Sequence, residues 1–190
     1  MTNRVEPSFE LNEEMLSLIA TEFNPDELVT KFAQEITDKK VEDIENVAED
    51  IFTSYGANLI RKSWRLGEEY PDRTYEVLRE AIDSTGGHLW FPLIPQRVLE
   101  IAYLAIFDME LLPVLENSPR RLVYMVDTCK IFMALKEQCG KEVANTLPCH
   151  HACISACRTL FNELDYPEVL IEMEASAHRD GYCQFVVTKI

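Results

Sequence analysis

Glycine is scarce in this sequence, with six among 190 residues. We find no glycine-rich phosphate loop, no dinucleotide fingerprint, no Gly-x-Ser-x-Gly elbow and no His-Glu-x-x-His motif. The sequence also lacks the run of about 20 apolar residues that crosses a bilayer. Its first ten residues are polar and acidic, unlike a secretion signal. We therefore expect a soluble cytoplasmic protein, and no motif requires catalysis.

Basic residues are few relative to acidic ones. Eighteen Lys and Arg against 33 Asp and Glu give a net charge of −15. Such a surface repels nucleic acid backbones and anionic membranes, so neither is an expected partner. The first 50 residues alone carry 14 acidic and 4 basic side chains. We predict a single domain over residues 1–190, in which residues 1–40 form an acidic helical N-terminal extension.

Cysteine is absent from the first two thirds of the chain. All six cysteines lie between positions 129 and 183. A disulfide-stapled secreted domain spreads its bridges over the whole fold, whereas clustering near one end indicates a local site or core thiols in a reducing compartment. We expect such a local site.

The first half of the chain reads as a series of helices. Apolar residues recur at steps of three and four, and Asn24-Pro25-Asp26-Glu27 is a typical helix start. The predicted helices are a short one around Met15, one through Leu28, Phe32 and Ile36, a long one over Lys40–Leu66 ending at Gly67, and one from Pro71 to Gly86-Gly87.

The second half of the chain has more aromatic, branched and proline residues, which favour strands. The predicted strands are His88–Leu93, Arg97–Phe107, Arg120–Val126, Val169–Ala177 and Tyr182–Ile190, the last two around an Asp-Gly turn. Arg97–Phe107 also fits a helix. The predicted helices are Ile131–Gln138 and Cys149–Leu164, and the small residues of the latter suit close packing on a sheet. The fold class is α+β, a helical N-terminal half on an antiparallel sheet.

Metal-ligand residue types cluster in the last 45 residues. Cys149 opens a helix, and Glu172 and Cys183 lie in two strands of one hairpin, where cross-strand neighbours are about 5 Å apart. His178 in the turn, or His150, offers a fourth donor. Two thiols, a carboxylate and an imidazole suit a tetrahedral zinc ion.

This arrangement resembles the end of V4R (4-vinyl reductase) domains, in which a cysteine opens a helix of small residues, a glutamate follows in a strand, and two cysteines come after it. Here Cys149, Glu172 and Cys183-Gln184-Phe185 match, and Gly181 stands at the turn. Ala175 replaces the third cysteine. The resemblance covers the residues from Leu147 to Ile190 well.

The resemblance implies a stand-alone V4R-like protein that encloses a hydrophobic or aromatic small molecule, such as a tetrapyrrole or its precursor, and a link to chlorophyll biosynthesis or photosystem assembly. It also implies zinc. We expect the ligand between helix and sheet, where small side chains leave room. The candidate ligand-binding residues are Cys153, Cys157, Trp90 and Phe132.

Three alternatives stay open. The first is a non-catalytic assembly factor or scaffold that acts through a partner protein, with its cavity filled by its own side chains or a trapped lipid; for the ligand-binding protein itself, a homodimer formed through the acidic, helical first half is expected. The second is an enzyme with Cys149 as nucleophile and His150 or His151 as base. The third is thiol pairing, since Cys149, Cys153 and Cys157 repeat every four residues on one helical face. Separately, Arg61, Lys62 and Arg65 form a basic patch suited to a ligand carboxylate or an acidic surface.

Overall fold

The computed structural model describes residues 11–70, 93–107, 109, 112–166 and 168–190. The elements in this part of the chain are α1 (Glu13–Glu22), α2 (Pro25–Ile36), α3 (Val41–Glu69), α4 (Leu93–Ile106), β1 (Val114–Asn117), β2 (Arg121–Val126), α5 (Lys130–Gln138), α6 (Lys141–Asn145), α7 (His150–Glu163), β3 (Val169–Ala175), α8 (Ala177–Asp180) and β4 (Cys183–Lys189). The fold is α+β, mainly helical with one four-stranded antiparallel sheet.

Asparagine caps begin the first two helices, and α2 begins where the sequence predicts. Asn12 accepts a hydrogen bond from the backbone N–H of Met15 at the start of α1. Asn24 accepts the N–H of Asp26 at 2.8 Å at the start of α2. These helices are part of one core with the sheet, because Met15 and Phe32 are fully buried in the same cluster as Phe185 of β4.

The long helix α3 packs most extensively on α7. Their crossing is tight: a Cβ atom at Gly56 would lie 2.0 Å from the carbonyl oxygen of Ala152. Close by, the Ser155 hydroxyl donates to the carbonyl of Thr53 at 2.8 Å. The small residues of α7 therefore allow a close approach of two helices, in addition to the predicted packing on the sheet, where Cys157 contacts Tyr124 of β2.

The sheet has the strand order β1-β2-β4-β3, and every neighbouring pair is antiparallel. The last strand, β4, is central, between β2 and β3. On its inner face Phe185 and Val187 are fully buried, and in register with them lie Tyr124 and Leu122 of β2. Helix α7 contacts the sheet at β3.

Three sequence-based predictions of elements need correction. Arg97–Phe107 is not a strand but most of α4, which accommodates Pro95 in its first turn, where no N–H is required. Gly67 does not end α3, which continues to Glu69. The last hairpin has no tight Asp-Gly turn, since α8 joins its strands and Gly181 follows with φ of 82°.

Several predictions lie outside the described residues. These are the helix from Pro71 to Gly86-Gly87, all but the last residue of the strand His88–Leu93, and Trp90 as a ligand-binding residue. Leu93 itself begins α4. Within the described part of the chain, no helix combines the length and apolar character that crossing a membrane requires.

Candidate thiol site

Five of the six cysteines come from three neighbouring parts of the fold. Cys129 precedes α5, Cys149 precedes α7, Cys153 and Cys157 lie one and two turns along α7, and Cys183 begins β4. Cys183 pairs in register with Val126, near the end of β2 and three residues before Cys129. All five are free thiols, and all but the partly buried Cys153 are buried. We call these five residues the thiol cluster.

Electrostatic interactions show that the members of the cluster are close to one another. Burial raises the pKa of Cys153 well above its ordinary value, and the neighbouring Cys129, Cys183 and Cys157 raise it further. Burial also raises the pKa of Cys183, to about 11, with Cys129 as the next cause. Each of these thiols therefore stays protonated near neutral pH.

Cys129 differs from the other members because it is the N-cap residue of α5. Its sulfur accepts the backbone N–H of Phe132 at 3.4 Å. A hydrogen bond from the Cys149 thiol lowers the pKa of Cys129, and the N–H groups of Phe132 and Ile131 lower it further, in opposition to burial. Backbone N–H groups at a helix start stabilise a thiolate.

Cys149 shows the opposite behaviour. Its interaction with Cys129 is the largest cause that raises its pKa well above the ordinary range, and burial adds to this. Two adjacent thiols that share one charge titrate as a pair. Of the two thiols, Cys129 therefore loses its proton at a lower pH than Cys149.

The remaining thiol, Cys157, contacts a pair of buried phenols. Its sulfur lies 2.8 Å from the hydroxyl of Tyr124, which is 3.4 Å from the hydroxyl of Tyr103. Burial raises the pKa of Cys157 to about 12. The Tyr124 ring also stacks on Phe185, with centroids 5.4 Å apart. These side chains occupy the space between α7 and the sheet at Cys157, where we expected room for a ligand.

The structure does not bring the predicted metal ligands together. Glu172 is in register with Val186 rather than opposite Cys183, so the predicted cross-strand neighbours are wrong. It points to the outer face and is exposed, whereas Cys183 is buried. His178 is also exposed and lies 3.1 Å from the Ser176 hydroxyl. Of the predicted set, Cys149 and Cys183 are neighbours in the thiol cluster.

The zinc ion implied by the resemblance does not fit the predicted ligands, because Glu172 and the two thiols lie on opposite sides of the sheet. Among the described residues, no three His, Cys, Asp or Glu side chains are arranged to hold a metal ion. Zinc stays a prediction.

Both histidines beside Cys149 have partners elsewhere. A ring nitrogen of His150 lies 2.7 Å from the carbonyl of Leu147, and one of His151 lies 2.8 Å from the carboxylate of Glu45. Neither contact orients an imidazole as a base towards Cys149, and the high pKa of Cys149 further disfavours it as a nucleophile.

Cys129 was not among the predicted site residues. A signal was present, since Cys129 lies two residues before the predicted helix Ile131–Gln138, close to the position of a helix cap. The other predicted ligand-binding residue in the described part, Phe132, is buried, with the Lys136 ammonium 5.6 Å from its ring centroid.

Comparisons with protein-family models, with curated proteins and with solved structures found no match. The resemblance to V4R domains therefore stays a prediction, and the function must be argued from the residues themselves.

Proposed function

We propose that this protein is a thiol redox protein in which Cys129 and Cys149 interconvert between a reduced pair and a disulfide. The observation that carries the proposal is the position of the Cys129 sulfur, which accepts an N–H at the start of α5 and has the Cys149 thiol beside it. A helix start that stabilises a thiolate next to a second thiol is the arrangement that disulfide chemistry requires.

A hydroperoxide, such as hydrogen peroxide, is the class of oxidant that balances the reaction. The Cys129 thiolate attacks one peroxide oxygen, the O–O bond breaks, and the released hydroxide takes a proton to form water. Cys129 is then a sulfenic acid. The Cys149 sulfur attacks the Cys129 sulfur, its proton leaves with the displaced hydroxide as a second water, and the disulfide forms. Two thiols and one peroxide give one disulfide and two water molecules.

Oxidation of Cys129 activates Cys149. A hydrogen bond to Cys129 is the largest cause of the raised pKa of Cys149, and burial and the negative charge of a Cys129 thiolate add to it. Because a sulfenic acid is neutral, its formation removes that charge and lowers the pKa of the second thiol. The two steps therefore occur in order, first at Cys129 and then at Cys149.

The burial of the Cys129 and Cys149 sulfur atoms favours small oxidants over large ones. Cys129 and Cys149 are 9% and 6% exposed, whereas Cys153 is more open to solvent. A small peroxide reaches sulfur atoms buried to this degree more readily than a folded partner protein, which cannot place its own disulfide against them. We therefore favour a response to small oxidants over exchange with protein disulfides.

The V4R-like fold, a tetrapyrrole or other hydrophobic ligand, and an assembly or scaffold role remain proposals beside this one. The filled space around Cys157 and Tyr124 supports the scaffold alternative more than an enclosed ligand at that place. Dimer formation and a cytoplasmic location likewise stay predictions.

Mapping of the oxidised thiols tests the proposal. Trypsin places Cys129, Cys139 and Cys183 on three separate peptides and the three cysteines of 149–157 on a fourth. After treatment with one equivalent of hydrogen peroxide, we expect the loss of two free thiols per chain and a linked peptide pair joining Cys129 to Cys149 by tandem mass spectrometry.

Matched variants complete the experiment. Cys129→Ser should slow the loss of thiols at least tenfold, whereas Cys139→Ser, which removes a thiol outside the cluster, should leave the rate unchanged. A mapped disulfide that omits Cys129, or a Cys129→Ser variant oxidised at the wild-type rate, would overturn the proposal. The mapping uses the unaltered chain and does not depend on how the variants fold.

A further inference from the structure

Two adjoining hollows lie along α3. One has a volume of about 530 Å³ and the other about 520 Å³. Glu22, Phe23 and Asn58 line both, so the hollows are neighbours, and we call them together the α3 groove. The volume of each hollow is in the range of small-molecule sites.

The middle of the α3 groove is aromatic and held in place. The rings of Phe23 and Tyr55 meet edge to face, with centroids 5.5 Å apart. The Tyr55 hydroxyl donates to the carbonyl of Phe23 at 2.8 Å, which fixes both side chains. Leu28 and Ile51 extend this apolar lining. Such a surface accommodates a hydrocarbon or aromatic body without prior rearrangement.

One end of the α3 groove is cationic. Arg61, Lys62 and Arg65 line it with a single acid, Glu22, which forms an ion pair with Lys62, in a chain whose net charge is −15. Arg61 is 3.4 Å from Glu163, and Arg65 is 3.6 Å from Glu69 of its own helix. Both pairs are about half exposed, and exposed pairs of this kind are weak. A ligand carboxylate can therefore displace them.

The other end of the groove has the opposite character. Glu27 and Asp50 line it with Lys31. An anion is attracted at Arg61 and Arg65 and repelled at this acidic end, so a ligand with a single acidic group has one favourable orientation. From Ile51 to Arg61 the helix rises about 15 Å, which sets the approximate length of the ligand body.

We propose that the α3 groove binds an amphipathic monocarboxylate, with its carboxylate at Arg61 and Arg65 and its apolar body on Phe23 and Tyr55. The charge difference between the two ends selects against a cation and against a dicarboxylate. The two proposals use different side chains and are tested by different measurements, so either can fail without the other.

Three probes with the same ten-carbon body test the ligand class by isothermal titration calorimetry. Decanoate should bind at least tenfold more tightly than decylamine, which reverses the charge, and than decanedioate, which places a second carboxylate at the acidic end. Equal affinity of decylamine and decanoate, or no heat of binding from decanoate, would overturn the proposal.

Variants locate the site. The double variant Arg61→Ala with Arg65→Ala should weaken decanoate binding at least tenfold, whereas Lys141→Gln, an exposed charge change on α6, should leave it unchanged. Circular dichroism checks that each variant is folded. In wild-type protein, chemical shift changes of the Phe23 and Tyr55 rings on binding are also expected. If the double variant binds decanoate as tightly as the wild type, and the shifts of the two rings do not change, the ligand lies elsewhere and the assignment is refuted.

Discussion

At the scale of single residues, the Tyr124 hydroxyl has two neighbours in a part of the core closed to water. It lies within 3.4 Å of both the Tyr103 hydroxyl and the Cys157 sulfur. A buried polar group that loses its partner pays its full desolvation cost. The Tyr124 hydroxyl is therefore a hydrogen-bond partner of two other buried polar groups.

Tyr124→Phe should lower the free energy of unfolding by about 1–3 kcal/mol, because the Tyr103 hydroxyl and the Cys157 thiol both lose a partner in the core. Urea denaturation measures the effect. Tyr182→Phe removes a hydroxyl from a partly exposed tyrosine and should change stability by less than about 0.5 kcal/mol. Equal effects of the two substitutions would show that the hydroxyl of Tyr124 contributes nothing specific.

At the scale of elements, the crossing of α3 and α7 depends on the missing side chain of Gly56. Gly56→Ala should destabilise the protein by about 1–3 kcal/mol or more, because its Cβ would collide with the backbone of α7. Thermal and urea unfolding measure this change.

Gly67→Ala is the matched control on the same helix. Its Cβ would meet only the end of the Ile101 side chain at 3.3 Å, and alanine favours helix over glycine by about 1 kcal/mol. We expect a neutral or stabilising effect. A destabilisation as large as that of Gly56→Ala would contradict the assignment of the close contact to Gly56.

Elements with local signals could be predicted from the sequence, and those set by distant contacts could not. The start of α2 follows from Asn24 and Pro25, whose effects act within one turn. The register of the last hairpin is set by its connection, in which α8 replaces the expected tight turn. Glu172 lies three residues before the end of β3, so it pairs with Val186, three residues after the start of β4 at Cys183. The thiol site depends on contacts between distant parts of the sequence, because Cys129 and Cys149 meet only in the folded chain.

At the scale of the whole molecule, the buried thiols make the free energy of unfolding decrease at alkaline pH. The pKa of Cys157 rises from 9.0 to about 12 on folding. Above pH 9 the unfolded chain loses this proton while the folded chain keeps it, so stability falls as pH rises from 9 towards 12. At pH 10 this single thiol accounts for a loss of about 1.4 kcal/mol relative to neutral pH.

Cys157→Ala removes this contribution. Under reducing conditions, the decline in unfolding free energy between pH 8 and pH 10 should be smaller in the variant than in the wild type by about 1.4 kcal/mol. Because the comparison is between slopes, the constant cost of the smaller side chain cancels. Identical declines would show that Cys157 titrates normally in the folded protein.

The central position of β4 determines when this sheet is completed during synthesis. Both β2 and β3 precede β4 in the chain, and both pair with it. While residues 183–189 are still inside the ribosome, the finished β1-β2 hairpin presents the unpaired edge of β2. Unpaired edges of this kind recruit other strands. A pause in translation before this segment would therefore favour aggregation of the nascent chain, and a chaperone bound during that interval would prevent it.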